Sequence, residues 1–299
     1  MNLSSSEIFK IGFQNNETVH QVTMQELKKI QKILFEMLCV IDQICAENNI
    51  KYCLCGGSAI GALRHNGFIP WDDDLDIFML RNDIFKFAHI VNEKYGDLYE
   101  VRTPGLDDFF ESPSTTMLRK DTIFRSYGEL GEKNPGVCCD ICILENVPTN
   151  KVFRYIHGIG SLARGLMTSC RRFSRDKETL IRHSGSNDLL KKTILEKAKI
   201  GSILSLFSYE HYVKKQWKWN SKCKNYQSEK VVCPNGRAHY FGEIYDRKII
   251  TEATLHEFCG RMFYIPANAD EYLTGLYGDY MKIPDRKERE SKVIFELKL

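Results

Sequence analysis

Residues 55 to 79 read Cys55-Gly-Gly-Ser-Ala-Ile-Gly-Ala-Leu-Arg-His-Asn-Gly-Phe-Ile-Pro-Trp-Asp-Asp-Asp-Leu-Asp-Ile-Phe-Met79. A small-residue turn, Gly56-Gly57-Ser58, follows a short, mostly apolar run ending at Leu54. Asp72, Asp73, Asp74 and Asp76 then crowd together beside Trp71. Such crowding is unfavourable by Coulomb repulsion unless a cation neutralises it. Leu75, Ile77 and Met79 interleave with the last acids, which excludes a solvated acidic tail. In an extended strand Asp74, Asp76 and Phe78 point one way and the apolar residues the other. Two carboxylates about 7 Å apart along one strand face can converge on one hard divalent ion.

Working outward, Thr23 opens a helix with Glu26 placed for a capping box. Leu27, Ile30, Leu34, Leu38, Ile41 and Cys45 form its apolar stripe, and Asn48-Asn49 ends it. Residues 50–54 read as a buried strand. Ser58 is placed to cap a helix over residues 59–65, which Asn66-Gly67 stops. Residues 75–80 form a second strand, and Asn82 or Asp83 caps a helix running to about Tyr95. Strand-like pieces follow at 99–101, 115–118 and 137–144. Residues 152–230 read as helical, basic and aromatic, with helices at 153–167, 188–206 and 210–221. Residues 236–250 read as a hairpin or loop, and 272–284 as a short helix closed by Gly278. The expected organisation is a lead-in (1–20), a catalytic core (21–150), a helical basic segment (151–230) and a C-terminal part packing on the core (231–299).

Hydrophobic residues make up 43% and charged residues 27%, which allows a sizeable core and excludes wholesale disorder. The net charge of +3 points to no particular partner, and no nucleic-acid partner is expected. The charge is uneven. Residues 151–230 hold 18 Lys and Arg against 6 Asp and Glu, a balance of +12 that leaves −9 for the remainder. A basic middle beside an acidic end suits anionic substrates or an anionic membrane surface, or it is a solvated helical face. The 11 cysteines lack the paired spacing of a zinc site and read as free thiols in a reducing cytoplasm. No apolar leader opens the chain and no run is long enough to span a bilayer, so a cytoplasmic protein is expected.

A strand, a small-residue turn into a helix and then a strand bearing Asp-x-Asp describe a nucleotidyltransferase-like fold. The class is α/β (α+β): a mixed sheet flanked by helices, with a helical basic insertion and a C-terminal elaboration. Backbone N–H groups at Gly57 and Ser58 can hold a phosphate oxygen at the helix start, and the Gly56-Gly57 backbone permits close approach. Asp74 and Asp76 are candidate ligands for Mg²⁺ or Mn²⁺. Asp140, a lone acid in the apolar run Val-Cys-Cys-Asp-Ile-Cys-Ile-Leu, is the candidate third ligand, because an isolated carboxylate in a strand is costly unless paired or metal-bound.

The run from Gly56 to Ile77 resembles the signature of the LicD family, with Ser58 where the family usually has Thr. Asp270-Glu271-Tyr272-Leu273 with Leu276-Tyr277-Gly278-Asp279-Tyr280-Met281 and Pro284 is similar to its C-terminal motif. The resemblance implies a phosphorylcholine transferase acting on surface glycans such as teichoic acid or lipopolysaccharide. It implies a donor such as CDP-choline or a similar CDP-alcohol, a lipid-linked glycan acceptor and release of CMP. Asp74, Asp76 and Asp140 would carry the metal, and Asp72 would orient the acceptor or take its proton, with Asp140 the competing base. Arg64, His65, Arg119 and Lys120 are candidate phosphate contacts, against the alternative that they satisfy helix and strand ends. Trp71 is a ligand wall or a packing residue. Choline would need an aromatic box, for which Trp217, Trp219, Tyr240, Phe241 and Tyr245 are available. A nucleotidyltransferase that makes the CDP-linked donor with release of pyrophosphate is the rival enzyme. A binding protein on a retired scaffold is the rival non-enzyme. The basic middle, densest at Arg171, Arg172, Arg175 and Lys177, is expected to give peripheral contact with an anionic membrane.

Overall fold

The computed structural model describes residues 19–126, 129–184, 187–224, 228–285, 289 and 293–299. The expected lead-in falls outside the described residues except at its end, where His20 bridges Ile294.

Helix α1 (Met24–Asn48) begins as its sequence requires. The Thr23 hydroxyl accepts from the Glu26 N–H (3.2 Å) and the Glu26 carboxylate accepts from the Thr23 N–H (2.8 Å). The Thr23 N–H and the Thr23 hydroxyl, which also donates to the carboxylate (2.8 Å), favour its ionised form and pull the Glu26 pKa down. Asn49 ends the helix at φ 53°, a left-handed conformation that asparagine tolerates. The stripe from Leu27 to Cys45 is buried throughout.

Strand β1 (Tyr52–Leu54) leads into helix α2 (Gly56–His65). Strand β2 (Asp76–Leu80), helix α3 (Ile84–Lys94), β3 (Tyr99–Arg102), β4 (Thr116–Arg119), β5 (Ile123–Ser126) and β6 (Cys138–Asn146) follow. The sheet order is β1-β2-β6-β4-β3. Only β2 and β6 run parallel; the other pairs are antiparallel, so the sheet is mixed. A parallel pair needs a crossover, and the segment from α3 to β5 supplies it. Strands β7 (Lys230–Val232) and β8 (Ile244–Asp246) extend the sheet from the far end of β6. Helices α1 and α3 bury their stripes in one core with Leu54, Ile77, Met79, Cys139 and Ile141.

Helices α4 (Lys151–Arg175), α5 (Lys177–His183), α6 (Asp188–Ile203) and α7 (Tyr209–Asn220) occupy the basic middle. They carry a small core of their own at Phe173, Leu180, Leu190 and Ile194. Helix α4 is longer than its periodicity suggested. Its internal glycines are packing positions: a Cβ at Gly160 would lie 2.3 Å from the Trp219 ring, and one at Gly158 would lie 2.4 Å from Phe241.

The stretch 236–250 is not a plain hairpin. It holds the short helices α8 (His239–Gly242) and α9 (Lys248–Thr251) around β8. Strands β9 (Thr254–Phe258) and β10 (Arg261–Ile265) form a separate hairpin that sequence reading did not anticipate. Helix α10 (Ala269–Tyr277) closes at Gly278 as expected, but it begins before Tyr272 and residues 279–284 are not helical; β11 (Ile294–Lys298) pairs with β5.

Candidate active site

Asp76 is the first residue of β2 and Asp140 the third of β6, and the parallel register sets them directly opposite each other. Adjacent strands lie about 4.8 Å apart, so the two carboxylates are neighbours. Both are half-buried in strands whose alternate residues Ile77, Cys139 and Ile141 fill the core. The Cys55 N–H donates to Asp76 O (3.0 Å) and the Asp140 N–H donates to Leu75 O (2.8 Å), which fixes both main chains. Asp74 lies in the extended segment before β2 rather than within it. Among the described residues, the three-carboxylate cluster whose oxygens all lie within 4.8 Å of one another is Asp72, Asp73 and Asp74. The acids therefore fall into two groups, an opposed pair and a turn cluster joined by Leu75.

The glycine turn lies between these groups. Gly56 sits at φ +51°, and a Cβ there would lie 3.2 Å from Asp76 Oδ2 and 3.3 Å from the Tyr277 hydroxyl. A Cβ on Gly57 would meet Asp72 Oδ2 at 2.9 Å. The missing side chains let both carboxylates approach the start of α2, where the helix dipole favours negative charge. Ser58 does not cap the helix. Helix α2 starts three residues earlier than expected, at Gly56, with Cys55 at the cap position. Ser58 is buried, and its hydroxyl accepts from the Asp76 N–H (2.9 Å), tying helix to strand. The Gly56 N–H donates to the Tyr272 hydroxyl (2.9 Å). The two motif-bearing ends of the sequence thus meet at one backbone bond.

Arg64 also joins them, as its guanidinium donates to the Tyr280 and Lys282 carbonyls. Burial and the adjacent Arg64 charge push the His65 pKa down, which favours the neutral imidazole. The His65 ring packs edge-on to Trp71, and the Arg289 guanidinium stacks 4.0 Å from the centre of the Trp71 ring. Arg119 bonds Glu36 (2.9 Å) and Asp121 (2.8 Å), and Lys120 donates to Gly96 O (2.7 Å). Arg119 is at the opposite end of β4 from Thr116, the neighbour of Asp140. Neither it nor Lys120 reaches the acids' cavity.

That cavity, of about 310 Å³, is lined by Asp76, Asp140, Phe78, Trp217, Tyr272 and Tyr277. Arg237 and Glu243 also line it, and both escaped sequence reading. They come from the segment around α8, which carries no recognisable pattern. Arg237 lies 5.3 Å from the Tyr277 ring centre. Glu243 is 2% exposed, and burial pushes its pKa up to about 7, although it accepts from the Ala238 N–H (2.7 Å) and the Tyr245 hydroxyl (3.2 Å). In the same wall burial pushes up the Cys55 thiol, and a hydrogen bond with Cys142 together with burial pushes up that of Cys233. Of the candidate aromatics, Trp217 reaches the cavity, with Arg81 stacked 3.4 Å from its ring centre and paired to Glu145. Tyr245 packs against Phe78 and Tyr272 behind the wall. Trp219 and Tyr240 are held by His157, and Phe241 is exposed. All 11 cysteines are free.

Residues 49–118 match a family model described as LicD/FKTN/FKRP, nucleotidyltransferase domain. The chain is 27% identical over 285 residues to the lipopolysaccharide cholinephosphotransferase LicD of Haemophilus influenzae, covering 90% of this chain and 97% of that protein. Uncharacterized proteins of Rickettsia typhi and Rickettsia prowazekii are 40% and 42% identical over 58 residues, 19% of this chain. The strand, glycine turn and acid-bearing strand lie inside the matched region and Asp140 lies beyond it. With the mixed sheet that assembles them, residues 49–118 are similar to the nucleotidyltransferase domain of the LicD family, and the chain as a whole is similar to a LicD cholinephosphotransferase.

Proposed function

We propose that this chain transfers phosphocholine, or a closely related phospho-alcohol, from a CDP-alcohol to a hydroxyl of a lipid-linked glycan. The observation that carries this reading is the chemistry of one cavity. It combines an opposed carboxylate pair, Asp76 and Asp140, with a cation, Arg237, and a wall of Phe78, Trp217 and Tyr272 beside Glu243. Carboxylates and Arg237 suit a diphosphate with its divalent ion, and aromatic faces suit an alkylammonium. The whole-length likeness to a cholinephosphotransferase supports the same substrate class.

Mg²⁺ or Mn²⁺ fits the residues present. Two carboxylates held opposite each other, half-buried, repel unless an ion or a proton intervenes. Asp76 and Asp140 would hold the ion, with Asp74 completing the set from the turn. When bound, the ion neutralises charge on the diphosphate and stabilises the departing phosphate. In the transfer, the acceptor oxygen forms a bond to the phosphorus that bears choline. The bond from that phosphorus to the oxygen of CMP breaks, and CMP leaves with the electron pair. The acceptor proton passes to a carboxylate. Asp72, partly exposed with its carboxylate beside Gly57, would take it, with Asp140 the competing base.

The test is a reaction of the purified chain with CDP-choline, Mg²⁺ and a glycolipid acceptor, read by mass. CMP and phosphocholine-bearing acceptor are expected, without pyrophosphate, and Asp76→Asn lowers the rate at least about 100-fold with the fold intact. Pyrophosphate from CTP and phosphocholine would instead establish the rival nucleotidyl transfer. Undiminished turnover by Asp76→Asn, or full activity in excess chelator, would refute the metal role.

A further inference from the structure

Over residues 152–168 helix α4 is amphipathic the wrong way round for a helix that packs on a protein core. There its inward face is small and polar. His157 bonds the Tyr240 hydroxyl (2.9 Å) and the Trp219 carbonyl (2.8 Å), and Ser161 donates to Asn220 (2.8 Å). Gly158 and Thr168 share that buried face, and only the last turns, at Cys170 and Phe173, bury apolar side chains. Its outward face is apolar. Val152, Tyr155, Ile156, Ile159, Leu162 and Leu166 recur at spacings of three and four, and all are exposed. Phe153 is 65% exposed, Leu166 60% and Ile156 52%. Exposed Phe241 lengthens the stripe, with its ring 5.6 Å from Tyr155. A contiguous apolar face of this size marks an interaction surface.

We propose that this face lies flat in the headgroup region of an anionic lipid bilayer. Three observations favour lipid over protein. The face is the side of a single helix of 25 residues, about 37 Å long, and not a groove. Amphipathic helices with large aliphatics and aromatics on one side and cations near them bind membrane interfaces in this way. The cations are present: Lys151 starts the helix, and on α6 the exposed Lys192 and Lys199 interleave with exposed Leu189, Leu195 and Ile200. A second copy docked face to face would bring two segments of +12 together, whereas anionic lipid complements that charge. No helix among the described residues is long and apolar enough to cross a membrane, so the contact is peripheral. The expected anchor, the arginine cluster, is partly committed elsewhere. Arg171 donates to Gly201 O, and Arg175 pairs with Asp176 (2.7 Å). Apolar insertion, assisted by lysines, takes its place. The face owes nothing to the cavity, so this proposal stands or falls separately from the transferase reading.

The test is cosedimentation of the full chain with vesicles of phosphatidylcholine, with and without phosphatidylglycerol, alongside its oligomeric state in solution. Binding to the mixed vesicles is expected, and Ile156→Asp with Leu166→Asp weakens it at least about tenfold. Both positions are exposed, so circular dichroism and melting should match the parent chain. Lys192→Gln with Lys199→Gln should weaken binding and flatten its salt dependence, keeping the charge contribution separable from insertion. Parent-like binding by the double aspartate variant would overturn the proposal. So would absence of vesicle binding by the parent chain, or a dimer that the aspartates dissociate and lipid does not.

Discussion

Glu243 shows how a single side chain can report on the cavity. Its carboxyl is buried, with hydrogen bonds from Ala238 and Tyr245 among others and no ion pair among those described, so its pKa rises from 4.5 to about 7. Between these values the folded chain holds a proton that the unfolded chain has released. Stability from this group is therefore full below pH 4.5 and falls as pH rises to about 7, by on the order of 3 kcal/mol. Glu243→Gln should remove that decline. Denaturant melts of parent and variant at several pH values check it, and parallel curves would show that Glu243 is not held protonated. Nothing in the sequence marked this residue, because its burial depends on residues 233–238 folding over it. Asp140 was legible because a lone acid in an apolar strand is costly, and Ser58 was legible only as a hydroxyl at a helix start. Its partner, the Asp76 N–H, became apparent only once β2 was placed beside α2.

Elements with a strong local pattern matched their sequence: α1 has both halves of its capping box, and β6 alternates from Cys138 to Ile141 around Asp140. Hairpin β9–β10 did not announce itself, since much of it is solvent-exposed and its residues lack regular alternation. Gly56-Gly57 joins β1 to α2 in a conformation that also depends on α10. The Tyr272 hydroxyl accepts from the buried Gly56 N–H, and the Tyr272 ring packs on Phe78. Tyr272→Phe keeps the ring and leaves that donor unsatisfied, which costs about 1–3 kcal/mol. Urea melts should show the loss, together with weaker donor binding as the turn relaxes. A variant as stable as its parent would mean that water or another group satisfies Gly56.

Across the whole molecule, the site joins residues far apart in the chain: the glycine turn and Asp76, then Asp140, then Arg237 and Glu243, then Tyr272 and Tyr277. Sequence singled out the first two as site candidates by local spacing, and marked the last only as part of a family motif, without bringing it to the site. It could not show that the segment after β7 closes the cavity, nor that α4 turns its apolar side outward. Asp140 is the sharpest point of the proposal, lying outside the matched family domain yet opposite Asp76. Titration of Mn²⁺ into the chain with CDP-choline present, comparing parent and Asp140→Asn, tests it most directly. Saturable binding by the parent, weakened at least about tenfold in the variant together with transfer, is the predicted result. Equal Mn²⁺ affinity and equal transfer by Asp140→Asn would contradict it.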